Sequence, residues 1–345
     1  MATLTSTISI YRKLIYLLLG AIVLSIVVLI LIRVGTAVKN LIAPAPPSPA
    51  TIAFGVLPKL DYSEGYEPLN DTRFLVETIS GALPSLGDKA KVFVNLDAVE
   101  KFGVLERAIA SAKQAGFAET PIETSNSVAK FVDPKDATRI LTIETVSGSV
   151  SVGSGYLRNP AIIVSRPESR ETPQQMVVNL FEKLNLPLEI FPEDTISQEN
   201  FKIENGVLER ALSLSTTNLV KVIFNKVDID DLPIINPDSE NPLVWGLAND
   251  EIVVSAQFIS SDIQKHRFST YPLKSLDMAV ADLRKGNGAL NKKPNSNTFP
   301  IRNVRLAYLE TEKNQGFLQP VYLFESDNGL VAYTHAVADN LIAKD

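Results

Sequence analysis

The sequence predicts an α+β fold behind one membrane-spanning helix, and three observations carry that prediction. A 19-residue uncharged run lies near the amino end. Segments of strand period and helix period alternate after residue 50. Two internal words are alike, VETISGALPSL at 76–86 and IETVSGSVSVG at 143–153. The expected architecture is a single transmembrane helix and an ectodomain of about three repeated strand–helix–strand units with mostly antiparallel sheets.

The run at 14–32, LIYLLLGAIVLSIVVLILI, contains 15 Leu, Ile or Val residues. At 1.5 Å per residue it reaches roughly 28 Å, the thickness of a hydrocarbon core. Core helices of soluble proteins rarely run apolar on every face for that length. A signal peptide would have a shorter apolar region, ~7–15 residues, ending at a small-residue cleavage site. Here Ala43-Pro44-Ala45-Pro46 would put proline directly after the cut. The run therefore predicts a retained anchor at 14–32 that contacts the lipid bilayer, after a short cytoplasmic leader at 1–13. Arg12 and Lys13 precede it and Arg33 and Lys39 follow, so flanking charge is balanced. A leader that short holds nothing foldable, so the amino end is expected in the cytoplasm and the bulk outside the cell membrane.

The segment 43–50, APAPPSPA, has four prolines in eight residues. It predicts an extended stalk of roughly 25 Å. Beyond it, 29 Lys and Arg stand against 39 Asp and Glu, a net charge of −10. That balance excludes nucleic acid as a partner, because phosphate binding needs a cationic face. The absence of cysteine removes disulfides, Cys-ligated zinc, iron–sulfur clusters and thiol catalysis, and two histidines cannot build a His-rich metal centre.

The first unit is expected at 51–135. Segments 73–80 and 91–96 alternate as strands about a turn at 81–84. A helix near 102–115 buries Val104, Leu105, Ala108, Ile109 and Ala112, with Gly116 as its C-terminal cap. A short strand at 128–132 closes the unit. The second unit, 136–235, opens with strands at 139–146 and 149–153 around Ser147-Gly148. Its helix, 173–186, is expected to take Thr172 as N-cap, Pro173 as first residue and Gln175 at the capping-box position. Strands at 208–214 and 219–227 follow. In the third unit, 236–345, segments 252–259 and 264–271 predict a hairpin. Ser275 caps a helix at 276–285, and strands at 301–309, 319–325 and 330–337 form a meander.

The stretch YPLKSLDMAVADLRKGNG (271–288), then IRNVRLAYLE and LQPVYLFE, resembles the PepSY-like modules of the YycH/YycI type. The similar features are Tyr271-Pro272-Leu273, a helix with Ala279 and Leu283, the strand of Val304, Leu306 and Tyr308, and Gln319 to Tyr322. The likeness covers about 70 of the 345 residues, within 271–337. These are membrane-anchored regulators of an envelope sensor kinase in Gram-positive bacteria, and they also carry one amino-terminal transmembrane helix. The resemblance implies PepSY-like units here and no catalytic residues. The proline stalk and a third module depart from that pattern.

Candidate chemistry is sparse. Asp228, Asp230 and Asp231 form the densest carboxylate group. Counted from Asp228, the sixth and twelfth positions hold Pro233 and Ser239, where an EF-hand needs Gly and Glu. A solvated strand end is the expected reading. His266 and His335 lack a G-x-S-x-G serine and are expected as ordinary strand or surface residues. Gly153-Ser154-Gly155 and Gly286-Asn287-Gly288 continue into no phosphate loop. No catalytic, cofactor-binding or metal residue is nominated, and no cofactor is expected. The expected function is a tethered, non-catalytic binding or regulatory protein of the cell envelope with a protein partner. The alternative is an envelope hydrolase using paired carboxylates.

Overall fold

The apolar run forms α1 (Tyr16–Val34), a 19-residue helix of mean hydropathy 3.0 with none of its hydropathic window buried. The one serine in it, Ser25, donates its Oγ–H to the Ala21 carbonyl at 2.8 Å and so brings no unsatisfied donor to the apolar surface. The computed structural model describes residues 16–34, 48–62, 68–69, 72–96, 103–125, 127–159, 163, 165–236 and 242–344. The leader 1–13, Leu14, Ile15 and stalk residues 43–47 lie outside them; residues 48–50 form neither helix nor strand. Two units separate, Met1–Pro49 and Ala50–Asp345.

Within the second unit the chain builds two lobes, one inserted into the other. The inserted lobe is a nine-stranded antiparallel sheet drawn from residues 123–258. From one edge its first half runs β3 (Glu123–Thr124), β4 (Val128–Asp133), β5 (Asp136–Glu144) and β6 (Val150–Gly153). The second half runs β12 (Val253–Phe258), β11 (Val244–Ala248), β9 (Leu219–Phe224), β7 (Ile196–Glu204) and β8 (Val207–Arg210). Two helices, α2 (Val104–Gln114) and α3 (Glu171–Lys183), share one core with it. Phe181 of α3 lies 5.6 Å from Phe224 and 5.3 Å from Phe258, ring centre to ring centre. Packing is close enough that a Cβ on Gly246 of β11 would stand 2.5 Å from Val177 Cγ1, so α3 rests directly on the strand backbone.

The outer lobe is assembled from 51–96, the tip of 229–235, and 262–342. The expected meander is there: β16 (Asn303–Leu309), β17 (Phe317–Glu325) and β18 (Val331–His335) pair antiparallel in sequence. Strand β14 (Ala289–Leu290) borders β18, and β10 (Ile234–Ile235) runs parallel to β16. Strand β2 (Lys89–Leu96) joins β17 to β13 (Asp262–Pro272), while β1 (Arg73–Val76) lies parallel to β15 (Thr298–Ile301). Helix α4 (Leu276–Arg284) buries Leu276, Ala279, Val280 and Leu283 against Phe74, Phe299 and Phe324. Its expected cap holds: Ser275 Oγ accepts from the Met278 N–H at 3.3 Å.

Several sequence expectations change in detail. Segments 252–259 and 264–271 do not form a hairpin; β12 pairs with β11 and β6, and β13 crosses to β2. Residues 259–261 are thus a passage between lobes. The consecutive stretches 51–135, 136–235 and 236–345 do not each close a sheet, because the nine-stranded sheet takes strands from all three. The two similar words fold differently: 143–153 is the β5–β6 hairpin, whereas 76–86 leaves β1 at Val76 and continues without strand. Helix α3 starts at Glu171, ahead of Thr172. Ser169 Oγ accepts from the Glu171 and Thr172 N–H groups, and Gln175 bonds Asn179 one turn on instead of closing a capping box.

A buried ion pair joins the lobes. Lys226, just past β9, donates to Glu310 Oε1 at 2.6 Å, and Ser261 Oγ donates to the same oxygen at 2.6 Å. Their side chains are only 10 % and 7 % exposed, so neither charge is solvated by bulk water.

Candidate functional site

Four polar side chains meet where α4, β18 and the final turn converge. Strand β13 ends at Pro272, and the Lys274 N–H donates to the Ala336 carbonyl at 2.9 Å, which turns its side chain inward. Tyr322 Oη holds the Lys274 carbonyl from below at 2.8 Å. Asp282 is eight residues further, on α4 beside the buried Leu283. His335 ends β18, and Asp339 opens the short 3-10 turn Asp339–Leu341.

Lys274 is the centre of the group, with its side chain fully enclosed. Its Nζ donates to Asp282 Oδ2, to Asp339 Oδ1 at 3.1 Å, and lies 2.9 Å from His335 Nε2. An ammonium has three protons, and three acceptors surround this one. His335 Nε2 also lies 2.9 Å from Asp339 Oδ1. Asp282 is 8 % exposed and Asp339 49 %, so the group runs from the interior out to solvent.

Charge states follow from these surroundings. Burial, with the Lys274 ammonium next, holds His335 below the ordinary imidazole range. Burial pushes the Asp339 carboxyl up, but hydrogen bonds from His335 and Lys274 and the nearby ammonium outweigh it, leaving a net lowering. Burial also raises the neighbouring Tyr62 hydroxyl well above the usual phenol range.

Asp282, His335 and Asp339 line a cavity of about 620 Å³ whose other walls include Leu60, Tyr62, Ile342 and the turn Gly286–Gly288, with Lys274 enclosed behind them. Oxygen and nitrogen atoms of Asp282, His335 and Asp339 lie within 4.8 Å of one another, a spacing that suits a cation. The cation that lies among them is the Lys274 ammonium itself, which both carboxylates share.

None of the residues weighed in the sequence forms a second site. Asp230 and Asp231 occupy the two left-handed positions, φ 53° and 60°, of a tight turn between Ile229 and Leu232. Asp230 pairs with Lys91 at 3.0 Å. Their clustering is turn chemistry. His266 sits in a three-residue bulge of β13, exposed and away from His335. Gly288 is demanded by packing: a Cβ there would lie 2.2 Å from the Tyr333 carbonyl oxygen. His335, expected as an ordinary strand residue, is the one histidine in the polar group. Lys274, Asp282 and Asp339 went unread because 65 residues separate the first from the last. The usable signal was Asp282, a charge set next to the apolar stripe of a short helix.

No family model, curated protein or solved structure matches the chain.

Proposed function

We propose that the chain is a membrane-tethered, extracytoplasmic binding and regulatory protein of the cell envelope, of YycH/YycI type, which acts through protein contacts and not by catalysis. The observation that carries this reading is α1, apolar over its whole length with none of its hydropathic window buried. Such a helix needs a lipid or protein partner to cover it. The amino end lies in the cytoplasm and the lobes outside.

The state of the carboxylates supports the non-catalytic part. A hydrolase of the alternative kind needs one free acid and one free base across a cleft. Asp282 and Asp339 share a single ammonium between them. Photo-crosslinking in native membranes, followed by identification of captured chains, tests the proposal. Capture of one envelope protein that depends on both the anchor and the lobes is the expected result. Protease accessibility of the lobes only from the cytoplasmic side would overturn it.

A further inference from the structure

We propose that Lys274, Asp282, His335 and Asp339 form a proton-operated clasp, in which protonation of His335 loosens segment 336–344 and opens the cavity it walls. The hydrogen-bond geometry requires a choice. His335 Nε2 stands 2.9 Å from a donor, Lys274 Nζ, and 2.9 Å from an acceptor, Asp339 Oδ1. One ring nitrogen either accepts from the first or donates to the second. With the ring neutral and its proton on Nδ1, Nε2 takes the third ammonium proton, and every donor of Lys274 is matched. With both ring nitrogens protonated, Nε2–H turns to Asp339 Oδ1, but the ammonium loses that acceptor and faces an imidazolium at contact distance in a site partly shut from water. Burial and the ammonium outweigh the Asp339 bond.

Charges of both signs stand near the ring: the Lys274 ammonium disfavours its protonation, and the Asp339 and Asp282 carboxylates favour it. Lys274 comes from the connector after β13, Asp282 from α4, Lys285 from the cap that follows it, and Asp339 and Lys344 from the final segment. Lys59, Asp61 and Tyr62 come from the strap at 57–62. Among the described residues four ammonium groups and three carboxylates thus stand in or just behind the cavity wall, and of the ammonium groups Lys274 is the one that acts on the ring. Burial, with Lys274 next, outweighs the two carboxylates and holds His335 below the ordinary imidazole range.

The mechanical consequence is local. Segment 336–344 is fixed by Ala336 N–H to Pro320, Ala338 N–H to Pro272 and Ala343 N–H to Leu57, and by Asp339 in the clasp. Ile342, Ala343 and Lys344 are cavity wall. Because folding holds the ring neutral, the unfolded or opened segment binds the proton more readily. The clasp is then complete above about pH 6.5 and weakens as pH falls below it. Asp339, with its carboxyl lowered, contributes a separate loss only below about pH 4. The interval between belongs to His335.

Hydrogen exchange of the full chain in lipid nanodiscs, at about pH 7.5 and about pH 5.5 and corrected for intrinsic chemistry, tests the clasp. Exchange across 336–343 is expected to rise at the lower pH, by at most about ten-fold at one pH unit below the free-histidine value, with β9 and β11 unchanged. His335→Gln, which cannot charge, should abolish the rise. An equal rise in H335Q, or none in the parent chain, overturns the proposal. If H335Q is already frayed at the higher pH, histidine-selective NMR of the parent chain decides. The chain has only two histidines, and His266→Gln assigns them. A His335 midpoint below the free-histidine range, shared by the Ala338 and Ala343 amides, sustains the clasp; a midpoint the amides do not share refutes it.

Discussion

The inserted lobe and the outer lobe solve the same packing problem with different means. In the inserted lobe one sheet meets two helices over one large core, with a small second cluster around Leu219, Leu247 and Val254. In the outer lobe the apolar side chains divide into several smaller clusters, and pieces of chain far apart in sequence close around them. Long-range polar ties do the fastening there. Gln319 Nε2 donates to the Pro58 carbonyl at 2.9 Å, Arg284 to that of Phe74 at 3.2 Å, and Tyr322 to that of Lys274 at 2.8 Å. The inserted lobe has polar ties of its own, such as Arg139 to Asp133 and to the Val253 carbonyl, but its strands come from one region of chain broken only by the tip at 229–235. A lobe closed by distant pieces needs directional bonds to select the right partners, since loop closure disfavours each one.

The sharpest way to break this comparison is at the joint. Lys226→Met leaves Glu310 buried without its cation and should cost about 3–5 kcal/mol, while Lys226→Met with Glu310→Leu recovers most of it. Urea unfolding can be followed at two places, because Trp245 is the only tryptophan and lies on β11 of the inserted lobe. Coincident transitions by Trp245 fluorescence and far-UV dichroism are expected in the parent chain, and separated ones in Lys226→Met. Transitions that stay together in the variant would mean that the lobes are coupled elsewhere.

Glycine substitutions sharpen the contrast next. Gly288→Ala drives a methyl into the Tyr333 backbone carbonyl, which cannot rotate away, and should cost about 3 kcal/mol. Gly246→Ala meets only the methyls of Val177, a side chain free to shift, and should cost nearer 1–2 kcal/mol. Denaturant midpoints in the reverse order would show that the inserted lobe is the less yielding of the two.

The smallest effect concerns where α3 begins. Ser169→Ala removes the hydroxyl that serves the first turn and should lower stability by about 1 kcal/mol. Thr172→Ala, in contrast, should change the midpoint by no more than a few tenths of a kcal/mol. Equal losses in both would return the cap to Thr172.

What could be read from the sequence was local. Helices α2, α3 and α4 were found within a few residues because an apolar stripe repeats on each. The β16–β17–β18 meander was found because alternation and short loops coincide. Strand β7, ISQENFKIE, went unnoticed because it lies next to the sheet edge and buries only Asn200 fully, which leaves no period to see. Strand β11, VWGLA, is too short to show one. The insertion of one lobe in the other was illegible, since β2 finds β13 and β17 some 170 to 220 residues away and nothing local records that choice. The polar group failed for the same reason, being four single residues from three separate stretches of chain.

The way the chain enters the outer lobe sets how it bears load. Directly after Ala50, the Thr51 N–H bonds Thr270 Oγ1 at 2.9 Å, Ile52 N–H the Thr270 carbonyl at 3.0 Å, and Ala53 N–H Ser269 Oγ at 2.7 Å. Leu57 then exchanges bonds with Leu341 and Ala343, both at 2.8 Å. A pull on the residues before Ala50 therefore runs in shear along β13 and into β2 and β17, and next into segment 336–344. The first bonds that such a pull meets are those to the strand leading to Lys274 and to the segment carrying Asp339, ahead of any in the nine-stranded sheet.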